Sequence, residues 1–362
     1  MTPLLDTYYT QSSVGFEKQA LPAYFENAAV IKAADYDNDG DLDVFVGNNT
    51  VSNNFGAMPN SYILKNKNGK FSILENQSFQ NTGMITDAIW EDYNTDGFVD
   101  LILVGEWMTP KFFKNTKGNF TEEKFIDATL TGLWQQIAAF DIDKDGDVDY
   151  LLGNWGKNSK FNASEEYPLR MYYADFDGNG STETILCNYK NGSYYPLLGL
   201  DELASQIVSL RKKFTTYKSM AGKSIDEIFE KSILNKATIL EVHTLASGYL
   251  KNENNRFEFV PFINELQVSP ISSFLEYDFN FDGENEILAA GNYFGVTPFH
   301  GRFDSFPGAL IIDEGQVILG NKIGLDFSLK AVKKLDIIKV NNKPYVLATI
   351  NNDKAQVYQL ME

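Results

Sequence analysis

Arginine is scarce in this 362-residue chain: only Arg170, Arg211, Arg256 and Arg302, among 31 basic residues, carry a guanidinium. That removes the usual means of bidentate phosphate recognition. Acidic residues outnumber basic ones 49 to 31, for a formal net charge of -18. A chain so acidic repels polyanions, so neither nucleic acid nor an anionic membrane surface is expected as a partner. The single cysteine, Cys187, excludes an intrachain disulfide and any CxxC metal or redox pair. It reads as a small buried apolar residue. There are two histidines, His243 and His300, and no GxSxG, HExxH or P-loop. No run of 18 apolar residues predicts a membrane span, and MTPLLDTYYT lacks the basic start and apolar core of a signal peptide. Two origins fit: a cytosolic protein, or a segment of a longer exported chain. What is plentiful is hydrophobic sequence, 43%, and aromatic sequence, 14%. That suffices for one large repeat-built core or two or three ordinary domains.

A nine-residue acidic pattern recurs five times: DYDNDGDLD (35–43), DYNTDGFVD (92–100), DIDKDGDVD (141–149), DFDGNGSTE (175–183) and DFNFDGENE (278–286). All fit D-x-[DN]-x-[DN]-G-x-x-[DE]. After each comes an apolar run, VFVGNN, ILVGEW, YLLGNW, TILCNY or ILAAGNY, and all but the fourth contain glycine. A second unit, SYILKNKNGKF, KFFKNTKGNF or SGYLKNENNRF, reads as a strand, an Asn/Gly turn and a strand opening with phenylalanine. One repeat is therefore strand A, acidic loop, strand B, connection, strand C, tight turn, strand D. The fold class is all-β, and four-stranded units repeated at roughly 50 residues predict a β-propeller.

The loop spacings are 57, 49, 34 and 103 residues. The long interval holds GLDELASQIVSLRKKFTTYKSMAGKSIDEIFEKS (199–232), whose helical spacing predicts two short helices inserted between strands B and C of one blade. At the C-terminus, 333–352 reads as an A–B pair whose loop, VNNKP, has no acids, with one further strand behind it. The N-terminal YYTQSSVGFEKQ (8–19) reads as a C-turn-D unit with no A–B pair before it. A single propeller domain over 1–362 follows, its ring closed by 8–19 completing 333–360. Six blades are counted, with seven as the alternative; the copy at 141 has no clear C–D pair.

Oxygen side chains at positions 1, 3, 5 and 9, with a sharp-turning glycine at 6, suit a hard cation. Calcium takes about six to eight oxygens, and the backbone carbonyl at position 7 is a further candidate ligand. The candidates are Asp35, Asp37, Asp39, Asp41 and Asp43; Asp92, Asn94, Asp96, Phe98 and Asp100; Asp141, Asp143, Asp145, Asp147 and Asp149; Asp175, Asp177, Asn179, Ser181 and Glu183; and Asp278, Asn280, Asp282, Glu284 and Glu286. An EF-hand requires glutamate at position 12, where Val46, Leu103, Leu152, Leu186 and Ala289 stand instead. Acidic Asp/Asn/Gly clusters also make plain polar turns. Five copies in equivalent places favour metal, Ca²⁺ in four or five ions, and five would bring the formal charge from -18 to -8.

DYDNDGDLDVFVGN, DIDKDGDVDYLLGN and the N-x-x-G-x-F turns resemble FG-GAP, or VCBS, repeats, the units of integrin α-chain propellers and of many bacterial surface proteins. The resemblance implies calcium on the A–B loops and no general catalytic motif. The insert is similar to one in large exported proteins of Bacteroidota. That implies an extracellular or outer-membrane surface location, a role tied to nutrient uptake, and a longer polypeptide.

With calcium on the A–B loops, recognition of a protein or glycan falls to the B–C loops at the other end of each sheet, 48–61, 106–110, 154–168 and 292–308. Trp107 and Trp155 occupy equivalent positions there, either as platforms for a sugar or protein, or as plugs of the core. Tyr293, Phe294, His300 and Arg302 are further contact candidates; Trp90, Trp134 and His243 read as structural. The alternative to a non-catalytic module is a calcium-dependent polysaccharide lyase or glycosidase, for which Glu106, Glu165, Glu166 and Asp304 are the carboxylates left on that face.

Overall fold

In a computed structural model, residues 6–22, 26–74, 77–296 and 301–361 are described. The chain is all-β with several four-stranded antiparallel sheets, and its contacts divide it into two compact units, 1–103 with 111–124 and 104–110 with 125–362.

In the first unit, β1 (Thr7–Ser12) and β2 (Gly15–Ala20) form a hairpin. Next, β3 (Asn27–Ala34), β4 (Asp43–Thr50), β5 (Tyr62–Lys67) and β6 (Lys70–Leu74) pair in sequence order as one sheet. The second repeat supplies β7 (Met84–Glu91), β8 (Asp100–Met108), β9 (Lys111–Thr116) and β10 (Asn119–Glu123), again neighbours in order. Each is the expected A, loop, B, C, turn, D path. The C–D turns have both central residues at positive φ, Asn68 and Gly69 in one and Lys117 and Gly118 in the other, as a right-twisted hairpin requires.

The second unit departs from the expected path. β11 (Gly132–Leu133) pairs with the end of β8, Glu106 to Met108, and β12 (Gln136–Phe140) and β13 (Asp149–Gly153) flank the third loop. The chain then leaves that sheet. β14 (Leu169–Ala174), β15 (Glu183–Lys190) and β16 (Ser193–Pro196) carry the fourth loop, and β17 (Thr238–Val242) returns against the free side of β14. Only afterwards do β18 (Gly248–Asn252) and β19 (Phe257–Pro261) pair with β13 and complete the third sheet. The fourth repeat is thus nested inside the B–C connection of the third, and the C–D pair that seemed missing from the copy at 141 lies about a hundred residues downstream. The helices between β16 and β17 are five short ones, not two: α1 (Leu200–Gln206), α2 (Leu210–Lys213), α3 (Tyr217–Met220), α4 (Ile225–Ile228) and α5 (Lys231–Leu234).

β20 (Ile271–Tyr277), β21 (Glu286–Gly291), β22 (Ala309–Ile311) and β23 (Val317–Leu319) form the sheet of the fifth loop. β24 (Val332–Val340), β25 (Lys343–Ile350) and β26 (Gln356–Gln359) form a three-stranded sheet. The VNNKP segment is a two-residue turn with Asn341 and Asn342 at positive φ, which has no room for a metal loop.

The B strands are the most buried elements; every residue of β13 and β21 is buried. Their terminal glycines answer to close packing. A Cβ on Gly153 would meet the Ile271 carbonyl oxygen at 2.3 Å, and one on Gly291 the Pro270 oxygen at 1.8 Å. The nested repeat has Cys187 at this position, fully buried in a separate core with Leu203, Ile207, Phe214, Ile225 and Phe229 from the helical segment. Burial pushes its thiol pKa up, which makes it inert. Trp134 is fully buried with its indole N–H on the Met108 carbonyl at 2.9 Å. Trp90 donates to the Lys32 carbonyl at 3.1 Å and stacks with Tyr36. Trp134 is core, as expected, whereas Trp90 is half-buried at the edge of an aromatic cluster.

Candidate metal centres

The five acidic loops share one conformation. The carboxylate at position 1 accepts the N–H groups of positions 5 and 6: Asp35 from Asp39 and Gly40, Asp92 from Asp96 and Gly97, Asp141 from Asp145 and Gly146, Asp175 from Asn179 and Gly180, Asp278 from Asp282 and Gly283, all at 2.8 to 3.1 Å. Position 5 in turn accepts the N–H of position 7. These bonds curl the chain so that the remaining side-chain oxygens converge. The glycine at position 6 has positive φ in every copy. So does position 4, where Thr95, Lys144 and Phe281 accept a conformation that disfavours bulky side chains.

Position 9 opens strand B and is buried in all five: Asp43, Asp100 and Asp149 have no exposure, Glu183 and Glu286 almost none. In the first three loops it accepts the backbone N–H of an asparagine on strand C, Asn66, Asn115 or Asn252, at 2.7 to 2.8 Å. That asparagine donates its side-chain amide to the position 8 carbonyl, Leu42, Val99 or Val148, and accepts from the C–D turn. One residue thereby ties the tight turn to the acidic loop. In the fourth and fifth loops, the longer glutamate reaches back to the position 2 N–H, Phe176 or Phe279.

Three loops bring carboxylates together: Asp35, Asp37 and Asp39; Asp141, Asp143 and Asp149; Asp175, Asp177 and Glu183, each offering one oxygen within 4.8 Å of the others. The second and fifth loops have asparagine at position 3, Asn94 and Asn280, each donating to the position 9 carboxylate. At position 7, Asp41 and Asp147 turn their carboxylates to the C–D turn, accepting from Asn68 and Asn254, and Glu284 pairs with Lys144. These side chains are engaged outside the cluster, which leaves the position 7 carbonyl as the better-placed candidate.

The donor set fits a hard cation. Position 3 oxygens of Asp37, Asn94 and Asp177, and one oxygen of Asp43, are shut off from solvent with no hydrogen-bond partner among the described residues. Such oxygens are costly unless something satisfies them. Burial also pushes Asp43, Asp100 and Asp149 up to about 6, and raises Glu183 and Glu286. A divalent ion held by all-oxygen ligands removes both costs. Sequence reasoning missed the lysines beside the clamp asparagines. Lys65 pairs with Asp37 and Asp39, Lys114 with Asp96 at 3.6 Å, and Lys251 with Asp143 at 2.7 Å. The recurring Lys-Asn dipeptide was the visible signal.

At the other end of the sheets, Trp107 is buried at 6% exposure and so is no open platform. Trp155 is half-buried in an aromatic cluster with Phe161, Tyr293 and Phe303, ring centroids 5.2 to 5.4 Å away. Arg302 lies 4.1 Å over the Phe294 ring and pairs with Asp304 at 3.5 Å. His300 lies outside the described residues. Residues 154–168 lead into the nested sheet rather than directly to a strand C. His243 is structural, its Nδ1 2.7 Å from the Thr131 hydroxyl.

No helix among the described residues is long and apolar enough to cross a membrane. No curated protein matches the sequence. Among solved structures, the V. cholerae biofilm matrix protein Bap1 aligns with 96% of this chain and 72% of its own at 10% identity and a TM-score of 0.37, a likeness too distant to bear on fold or function. A family model described as FG-GAP-like repeat matches residues 35–103 and 92–152. The stretch from 35 to 152, with its first three acidic loops, is therefore built of FG-GAP-like repeats.

Proposed function

We propose that this chain is a non-catalytic, calcium-stabilised interaction module of propeller type, acting at an extracellular or outer-membrane surface and binding protein or glycan through its B–C loops. The carrying observation is the loop conformation repeated five times, which in the loops at 35, 92 and 175 surrounds water-excluded oxygens with no partner among the described residues. FG-GAP-like repeats are in general non-enzymatic, which supports an interaction role. Asp35, Asp37, Asp39 and Asp43, and their counterparts in the other loops, would hold the ion. Its charge would offset carboxylate repulsion and stiffen one end of each sheet, leaving the other end as a rigid recognition surface. Ring closure through 8–19 and 333–360, a longer parent chain and a part in nutrient uptake belong to the same proposal.

Calorimetric titration of Ca²⁺ into chelator-stripped protein tests it. Four or five ions bound, with a rise in melting temperature, is the expected outcome. None or one overturns the metal reading.

A further inference from the structure

The helical segment does not close fully on the sheet it leaves. After β16 the chain continues alongside β15, with the Leu197 N–H on the Leu186 carbonyl at 2.9 Å, and then enters α1. The helices α2 to α5 that follow are of four residues each, and between α3 and α4 the chain turns at Gly222, φ 73. A one-turn helix packs by one or two side chains rather than by a continuous apolar stripe. What is left between the β15–β16 hairpin, the start of α1 and the α3–α4 turn is a cavity of about 570 Å³. That volume suits one small-molecule ligand.

The floor of the cavity is apolar. Leu200, Met220 and Ile228 belong to the helical segment's own core, and Leu198 packs against that core. An apolar tail entering here would extend an existing cluster rather than found a new one. Tyr217, 63% exposed, adds an aromatic face left to water.

The charge around this floor has one sign. Lys190 and Lys223 line the cavity and no aspartate or glutamate does, in a chain whose acidic residues outnumber its basic ones 49 to 31. Lys223 is already answered in part by Glu227, at 3.6 Å. Lys190 is exposed and has no carboxylate within 4 Å among the described residues. One ammonium is thus left over beside an apolar hollow. It is a donor only, and without a guanidinium fork it receives an anion as a point charge. A neutral apolar ligand would leave that charge unused, a cation would be repelled by it, and a dianion would bring more charge than it offsets.

We propose that this cavity binds an aliphatic monocarboxylate, with its tail on Leu198, Leu200, Met220 and Ile228 and its carboxylate at Lys190. The site uses none of the acidic-loop residues and none of the B–C loops at 48–61, 106–110, 154–168 and 292–308, so it goes beyond the interaction-module reading and can fail without it.

Butyrate, hexanoate and octanoate are titrated calorimetrically into the full chain in calcium buffer, beside octanol and octylamine. Octanoate binds, each step of two methylenes tightens binding by about tenfold, and octanol and octylamine bind at least about fivefold more weakly than octanoate. Lys190→Glu, at an exposed position, weakens octanoate at least about fivefold and leaves octanol within about twofold. Leu198→Asp weakens both, because it sets a carboxylate in the path of the tail. Circular dichroism is unchanged in each variant. No octanoate binding, an affinity independent of chain length, octanol or octylamine bound as tightly as octanoate, or unchanged octanoate affinity in either variant overturns the site. An overturned site would leave the calcium stoichiometry untouched, whereas a failure to take up calcium would sink the module and not this cavity.

Discussion

Two kinds of acidic loop coexist in one chain. The loops at 35, 92 and 141 end in aspartate, are clamped by an asparagine from strand C, and carry a lysine ion-paired to their carboxylates. Those at 175 and 278 end in glutamate, close on their own position 2 N–H, and have no lysine from a neighbouring strand C. The difference follows the strand they meet. Where strand C brings a Lys-Asn pair to the loop, a short carboxylate suffices and a tethered ammonium offsets part of the charge. Where it does not, the glutamate closes on the position 2 N–H of its own loop, a bond that Asp149 also accepts from Ile142 at 3.2 Å, and no strand C lysine among the described residues offsets the loop's acids.

The clamp should give the largest effect. Asn115 is fully buried and joins the Tyr36 and Val99 carbonyls to the Gly118 N–H. Asn115→Ala is expected to cost about 2 to 4 kcal/mol in denaturant unfolding. Asn66→Ala, at a more exposed clamp, should cost about 1 kcal/mol; equal losses would mean that burial does not set the clamp's worth.

Proton linkage comes next. With Asp43, Asp100 and Asp149 pushed up to about 6, above the 3.8 of free aspartate, the folded state holds these protons more tightly than the unfolded one. Their contribution to stability is full below about 3.8 and is lost as pH rises through about 6. Chelated protein should therefore melt higher at pH 5 than at pH 7.5, and saturating calcium should reduce or reverse that difference. A lower melting temperature at pH 5 in chelator would show that burial of these aspartates does not govern the metal-free state.

Shortening a glutamate-closed loop sharpens the contrast further. Glu286→Asp withdraws the carboxylate from the Phe279 N–H, 2.9 Å away, at a cost of about 1 to 2 kcal/mol by thermal denaturation. Asp43→Glu should also destabilise, because the extra methylene overfills a site with no exposure. A neutral result for either exchange would mean that loop closure does not depend on side-chain length. The smallest effect concerns the lysines. Lys65→Met and Lys251→Met remove partly exposed competitors for the loop carboxylates and should tighten calcium at the first and third loops by about two- to fivefold. Weaker binding in these variants would make the lysines part of the metal site's support.

The sequence by itself determined the strand–loop–strand units, their tight turns and the candidate ligand positions, because these are local. Alternation, a glycine at position 6 and an Asn/Gly pair act within a dozen residues. It did not show that position 7 side chains turn away from the loop, because their partners, the Asn68 and Asn254 N–H groups, are remote in the chain. The nesting of the fourth repeat was equally hidden. LKNENNRF follows the fourth loop in sequence, yet its strand pairs with β13 of the third, and only the register Tyr150 to Leu250 reveals it. Pairing between strands about a hundred residues apart is chosen by which buried faces meet, a global property that no local pattern carries. For the same reason, Glu106 read as one leftover carboxylate among four, and tertiary structure alone set it against the Gln135 amide.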